Sequence, residues 1–343
     1  MNSRKISHKL GLRKVTRKAA QLAPAPAAFY NGRRMPDIDT LITGDSIKYL
    51  NSRPEGWVDL VFADPPFNIG YLYDGYDDRR KAEDYCTFSK DWMEAVHRSL
   101  KPNGSFYLAI GDDFAAELCV IAKKIGFHLR NWIIWHYTFG QQPKRKFARS
   151  HTHVLYFTKH PSEFTFNADS IRVASARQTT YGDHRANPKG KLPDDVWYLR
   201  PQEAGEGMFE ASTDTWNVSR VCGTFKEREG WHGCQMPIGV LDRIIKASSN
   251  AGDIVVDPFN GSGTTVVSAA LLDRKYLGID QSEDYVKFAQ KRLTHALEKK
   301  GANKSEDIIH YAVDPNRESR VMTETDAFGR KRVARRSRAA KTA

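Results

Sequence analysis

The sequence predicts an α/β fold organised on a mostly parallel sheet that helices cover on both faces. Three observations carry that expectation. Short apolar runs at 57–63 and 254–256 are β-branched or aromatic, and each ends in an Asp-Pro turn, the pattern of buried strands. Between such runs, apolar residues recur at helical spacing. A glycine turn, Gly261-Ser262-Gly263, then joins a strand to a helix, and open α/β sheets place their chemistry at such carboxyl ends of strands.

The 343 residues suffice for one large or two small domains. Net charge is +12, but residues 1–34 hold nine Lys/Arg and residues 330–343 hold seven, with no Asp or Glu in either tail. The intervening chain is slightly acidic, so the basic excess lies in the tails. Such blocks serve as nucleic-acid-binding arms or as solubilising segments, and charge alone does not separate the two. Cys86, Cys119, Cys222 and Cys234 form no CxxC pair, which favours reduced thiols in a cytoplasmic protein; no metal site is expected. No stretch approaches the ~18 apolar residues of a membrane span, and no signal peptide is visible.

In order, residues 1–34 read as a basic flexible arm containing an Ala-Pro stretch. Residues 39–46 give a short strand and a turn. After the strand at 57–63, residues 71–80 read as a polar, aromatic, mobile loop. Tyr85, Phe88, Trp92, Met93, Val96 and Leu100 then recur at helical spacing, and Lys101-Pro102-Asn103-Gly104 reads as the turn that ends the helix. A strand at 105–110, a helix at 114–125 with Gly126 as its C-cap, and strands at 132–137 and 154–158 follow. Residues 161–232, rich in Arg, Asp, Pro and Gly, break this rhythm and read as an irregular insertion. Beyond it lie the strand, glycine turn and helix at 253–272, a strand at 276–279 and a long amphipathic helix to 297. Residues 301–343 read as a basic, disordered tail.

Two stretches carry the chemistry. Asp64-Pro65-Pro66-Phe67-Asn68 is a rigid turn after a strand, displaying a carboxylate, a proline carbonyl and an aromatic face. Asp257-Pro258-Phe259-Asn260-Gly261-Ser262-Gly263-Thr264 leads into the glycine turn, and Asp280 follows Asp257 by 23 residues, suitably placed for ribose hydroxyls. Neither a GxGxxG nor a GK[ST] pattern is present. Taken singly, each stretch could be an ordinary turn.

Together they resemble the amino-group DNA methyltransferases, in the permuted motif order of their β group, over residues 38–300. The resemblance implies a Rossmann-like methyltransferase fold and S-adenosylmethionine as cofactor. It implies a catalytic half at 35–160, target recognition at 161–232 and a cofactor-binding half at 233–300. Asp64, Pro65, Pro66 and Phe67 are the implied catalytic residues. An exocyclic amine is a poor nucleophile; the Asp64 carboxylate and Pro65 carbonyl can hold its N–H groups while Phe67 stacks on an extruded base. Asn68 and Tyr71 are further candidates to line the site. Asp45, Asp257, Pro258, Phe259, Gly261, Gly263, Thr264 and Asp280 are the implied cofactor-binding residues, although Asp45 would serve equally as a helix N-cap.

Lys144, Arg145, Lys146 and Arg149, with Arg172 and Arg177 in the insertion, are candidates for contacts to double-stranded DNA. A solvated loop or a packed insertion is the competing reading. At His151 the family's His-Glu becomes His-Thr152, so the usual acid is missing. The function expected is adenine-N6 methylation of duplex DNA by base flipping. Cytosine-N4 methylation is the alternative within the class, and a catalytically inactive DNA-binding protein is the alternative outside it. A restriction endonuclease partner and the oligomeric state, a dimer among the options, are left open.

Overall fold

The apolar runs become strands of one eight-stranded sheet. The computed structural model describes residues 29–30, 33–34, 36–70, 72–73, 76–141, 144–145, 147–179, 181–197, 235–302, 323–325 and 331–333. In chain order, β1 (Thr40–Thr43), α1 (Ser46–Ser52), β2 (Val58–Ala63), α2 (Ala82–Ser99) and β3 (Leu100–Ile110) come first. Next are α3 (Ala115–Ile125), β4 (His128–Gln141), β5 (Arg149–Thr158) and, inside the insertion, β6 (Val196–Trp197). The last part supplies α4 (Ile238–Ser248), β7 (Ile254–Asp257), α5 (Thr264–Leu271), β8 (Lys275–Asp280) and α6 (Glu283–Ala302).

The sheet order is β6-β4-β5-β3-β2-β7-β8-β1. Every pairing is parallel except those of β5, which runs antiparallel to both β3 and β4. The sheet is thus mostly parallel, as expected; the exception arises because no helix separates β4 from β5, and a short connection can only return the chain antiparallel. Strand β2 is buried along its whole length. Val61 and Ala63 face the cluster shared with α2 and α3, while Leu60 and Phe62 face the cluster shared with α4 and α5. A strand covered on both faces reads as continuous rather than alternating hydrophobicity.

The turn expected at Lys101-Pro102-Asn103-Gly104 is instead the first part of β3. Leu100 pairs directly with Val58, and a register shift between Val58 and Leu60 absorbs the irregularity. Lys101 Nζ lies 2.8 Å from Asp59 Oδ1, and the Ile254 N–H donates to Asp59 Oδ2 at 2.9 Å. One buried carboxylate thus ties the starts of β2, β3 and β7. Gly126 does cap α3 in the left-handed region, at φ 116°.

The loop after β2 is pinned. The backbone N–H groups of Asn68 and Ile69 donate to the buried Asp78 carboxylate at 2.7 and 3.1 Å, and the Asn68 side chain exchanges hydrogen bonds with the Arg80 backbone. Asn68, at φ 59°, therefore fastens the loop through its side chain. Tyr71 lies outside the described residues. The insertion supplies a 3-10 turn at Ala168–Ile171, a single helical turn at Ala176–Thr179, and β6. No helix among the described residues is long and apolar enough to cross a membrane.

Candidate active site

The sheet brings the two distant motifs together. Asp64 directly follows β2, Asp257 ends β7, and these strands are parallel neighbours, with Val61 opposite Val256. Asp280 ends β8, the next strand, and Asp45 follows β1, the strand after that. Four carboxylates separated by up to 235 residues in sequence thus line the carboxyl edge of four adjacent parallel strands, where open α/β sheets bind ligands.

Their environments differ. Burial, reinforced by the neighbouring Asp257 carboxylate, pushes the Asp64 carboxyl up to about 8. Burial also pushes Asp257 up to about 7, although the Thr265 hydroxyl (2.6 Å) and the Phe259 N–H (3.0 Å) donate to it. Asp280 is raised by burial and opposed by its backbone donors, the Gly261 N–H at 2.7 Å and the Ser282 N–H at 2.9 Å. Asp45 is the N-cap of α1, accepting from the Lys48 N–H at 3.1 Å. Among the described residues no cation pairs with Asp64 or Asp257, and the buried Asn260 amide has no partner on either polar atom. Two ionisable oxygens-only groups and an unsatisfied amide suit a ligand that is cationic and hydrogen-bonding. S-adenosylmethionine, with an ammonium and a sulfonium, fits that donor set.

Both motifs are braced by one helix face. Tyr85 of α2 donates its hydroxyl to the Pro66 carbonyl at 2.7 Å. Further along α2, Trp92 packs edge-on to Phe259 at 5.2 Å between ring centroids, with Phe88 at 6.4 Å. Among the described residues no donor reaches the Pro65 carbonyl, so the turn keeps that acceptor open beside Asp64. Phe67 lies over Gly111, where a Cβ would come within 3.2 Å of its ring. A side chain at 111 would displace the aromatic.

The glycine turn is shaped by its surroundings. Gly263 sits at φ 76°, and a Cβ there would meet the Ala289 Cβ of α6 at 2.8 Å. Gly261 is also left-handed, at φ 43°. Pro258 is buried beneath the turn. The Thr264 hydroxyl is engaged by the fold, donating to the Met236 carbonyl at 3.0 Å and accepting from Arg292 at 2.8 Å. Two supporting residues were missed in the sequence: Thr265, which holds Asp257, and Asn260. The β-strand-to-helix turn pointed at both, but only the structure shows the Thr265 hydroxyl on Asp257 and the Asn260 amide buried without a partner.

The expected DNA-contacting cations divide. Lys144 and Arg145 are exposed, while Lys146 lies outside the described residues. Arg149 instead pairs with Asp112 at 2.7 Å and Asp113 at 3.1 Å. Arg172 donates to Asp169 at 2.8 Å and to the Gly190 carbonyl at 3.1 Å, and Arg177 pairs with Asp183 at 2.6 Å. Only Arg149 draws its carboxylates from far along the sequence; Asp169 and Asp183 lie three and six residues from their cations.

Comparison with known proteins agrees with this geometry. The N6/N4 methyltransferase family profile, described as "DNA methylase", matches residues 58–291. The type II methyltransferase M.HpaI of Haemophilus parainfluenzae is 35% identical over 254 residues, covering 74% of this chain and 73% of that protein. The DNA adenine methyltransferase YhdJ of Escherichia coli K12 is 34% identical over 257 residues, covering 74% and 82%. The PvuII DNA methyltransferase, described as cytosine-N4-specific, shares the fold at 18% identity and a TM-score of 0.51, over 77% of this chain and 93% of that one. The chain belongs to the DNA methylase family of N6/N4 amino-methyltransferases, whose cofactor is S-adenosylmethionine.

Proposed function

We propose that this chain methylates adenine N6 in duplex DNA after drawing the base out of the helix. The observation that carries the reading is the open pair of acceptors, the Asp64 carboxylate and the Pro65 carbonyl, at the strand edge shared with Asp257. S-adenosylmethionine supplies an electrophilic methyl group. The protein's part is to make the amine nucleophilic and to orient it. Asp64 and Pro65 accept the two amine N–H groups, localising the nitrogen lone pair, and Phe67 stacks on the ring to fix its plane. Asp64 then receives the proton that the methylated nitrogen gives up. Positioning and preorganised acceptors are the source of the rate.

On the cofactor side, Asp257 faces the ammonium and Asp280 the ribose. Phe259, the glycine turn with the Thr264 backbone, and Asp45 complete the pocket. Lys144 and Arg145 contact phosphates, and residues 161–232 read the target sequence. Adenine is favoured over cytosine by Asp at the head of the motif, where cytosine-N4 enzymes usually carry Ser, and by similarity to a relative named as an adenine methyltransferase. The type II relatives make a cognate restriction endonuclease a partner worth seeking.

The test is to incubate the protein with unmethylated duplex DNA and S-adenosylmethionine, digest to nucleosides and identify products by mass spectrometry. N6-methyladenine is the expected product. N4-methylcytosine reverses the base assignment, and no methylated nucleoside overturns the reading.

A further inference from the structure

We propose that Phe147 is the wedge that enters the base stack when the target base leaves it; the inference rests on the base-flipping reading above. Phe147 is 99% exposed, more than any other large hydrophobic residue among those described. A lone exposed aromatic is ordinary. This one is set apart by its position and its support.

The position follows from strand direction. Because β5 runs antiparallel to β3, with His153 opposite Ile110, the start of β5 overhangs the carboxyl end of β3. The β4–β5 connection therefore emerges at the edge that carries Asp64. Arg149, two residues beyond Phe147, brings Nη1 to within 3.9 Å of where a Gly111 Cβ would stand, and the Phe67 ring lies 3.2 Å from the same point. The exposed aromatic is thus tied by one short stem to the backbone beneath the base-stacking aromatic. Lys144 and Arg145, also exposed, precede it on the same connection.

The stem is rigid. Arg149 holds Asp112 and Asp113, and Asp112 Oδ1 also meets His151 Nε2 at 3.2 Å and His153 Nε2 at 3.0 Å. The Trp132 indole N–H donates to His153 Nδ1 at 2.8 Å. That bond requires a lone pair on Nδ1, so neutral His153 carries its proton on Nε2 and donates it to Asp112. Nε2 is then unavailable as a metal ligand, and the Asp112–His151–His153 group serves as a brace.

Extruding a base leaves a gap between its stacked neighbours, and proteins that unstack DNA insert apolar side chains at such steps. A phenylalanine on a braced stem, preceded by two exposed cations suited to phosphates, meets that requirement. It would hold the gap open while Phe67 holds the extruded base.

The test first maps the site that the wild-type protein methylates, then compares wild type, Phe147→Ala and Phe147→Trp on two duplexes. In one the target base is paired; in the other it faces an abasic site and is already loosened. With 2-aminopurine at the target position, fluorescence reports extrusion. Phe147→Ala is expected to lose about tenfold or more in kcat/KM on the paired duplex, with the fluorescence rise abolished, while the loosened duplex is methylated at the wild-type rate. Phe147→Trp is expected to restore both. Unchanged extrusion by Phe147→Ala overturns the inference, as does an equal loss on both duplexes. A change of oligomeric state on sedimentation with extrusion intact would make Phe147 a protein contact instead. A wild-type protein that methylates no DNA overturns the functional reading itself, a result distinct from each of these.

Discussion

Asp64 and Asp257 stand at the carboxyl ends of two neighbouring parallel strands, the first half-buried and the second buried, and neither has a cation to pair with among the described residues. Two like charges in a water-poor space oppose each other's ionisation. A cationic ligand relieves both at once, so the same arrangement that strains the ligand-free site prepares it for its cofactor.

The two carboxylates should make stability depend on pH. Asp64 titrates at about 8 and Asp257 at about 7 in the folded chain, far above ordinary carboxylates, so the folded state retains protons the unfolded state has released. The resulting stability is full below the ordinary carboxylate range and is lost as pH rises through 7 to 8. The melting temperature of the ligand-free protein is expected to fall from about pH 5 to about pH 8, and Asp64→Asn should flatten that decline. A melting temperature that climbs over the interval contradicts the assignment.

Ligand uptake should release protons. Titration calorimetry with S-adenosylmethionine near neutral pH, in two buffers of different ionisation enthalpy, is expected to give different apparent enthalpies. Identical enthalpies would mean that neither carboxylate ionises on binding.

Asp64→Asn tests the acceptor role. The amide keeps the shape but presents weaker acceptance and, in one orientation, a donor facing a donor. A loss in kcat of about 10²- to 10³-fold is expected, with cofactor binding retained by calorimetry. A wild-type rate removes Asp64 from the mechanism.

Thr265→Val probes the support of Asp257. The variant removes a 2.6 Å hydroxyl donor and leaves a buried carboxylate less satisfied, at a cost of about 1–3 kcal/mol. Weaker S-adenosylmethionine binding is expected, with kcat at saturating cofactor little changed. Equal affinity would show that Asp257 is held by the backbone alone.

Salt dependence separates the basic groups. Replacing both Lys144 and Arg145 by Ala should reduce the slope of log affinity for DNA against log salt by about 2, whereas Arg172→Ala, already paired within the chain, should leave it unchanged. Deleting residues 1–34 and 330–343 should flatten the slope further if the tails bind DNA. An unchanged slope returns them to a solubilising role.

Much of this protein was legible in its sequence because local rules and a strong motif agreed. The run at 57–63 is continuous hydrophobicity because both sheet faces are covered. The prolines after Asp64 fix a turn whatever surrounds them, and Gly126 and Gly263 occupy left-handed backbone that their neighbours could not. Asp45, read as either a cap or a ligand, does cap α1, and that contact is local enough to have been anticipated.

What the sequence could not contain was pairing at a distance. Arg149 meets Asp112 and Asp113 only because folding sets the start of β5 beside the end of β3, whereas Arg172 and Arg177 pair with Asp169 and Asp183 only three and six residues away. The antiparallel course of β5 and its overhang beyond β3 likewise follow from the missing crossover helix, not from the composition of the strand. Tyr85 and Trp92 announced an amphipathic helix, but only packing revealed that its one face holds the Pro66 carbonyl and Phe259. Most elements and both motifs were readable from the sequence, since these depend on residues within a few positions of one another; the start of β3, misread as a turn, depended on its pairing with β2. Tertiary structure decided which charges are neutralised and which acceptors stay open, because burial and electrostatic partnership are properties of surfaces that meet only when the chain folds.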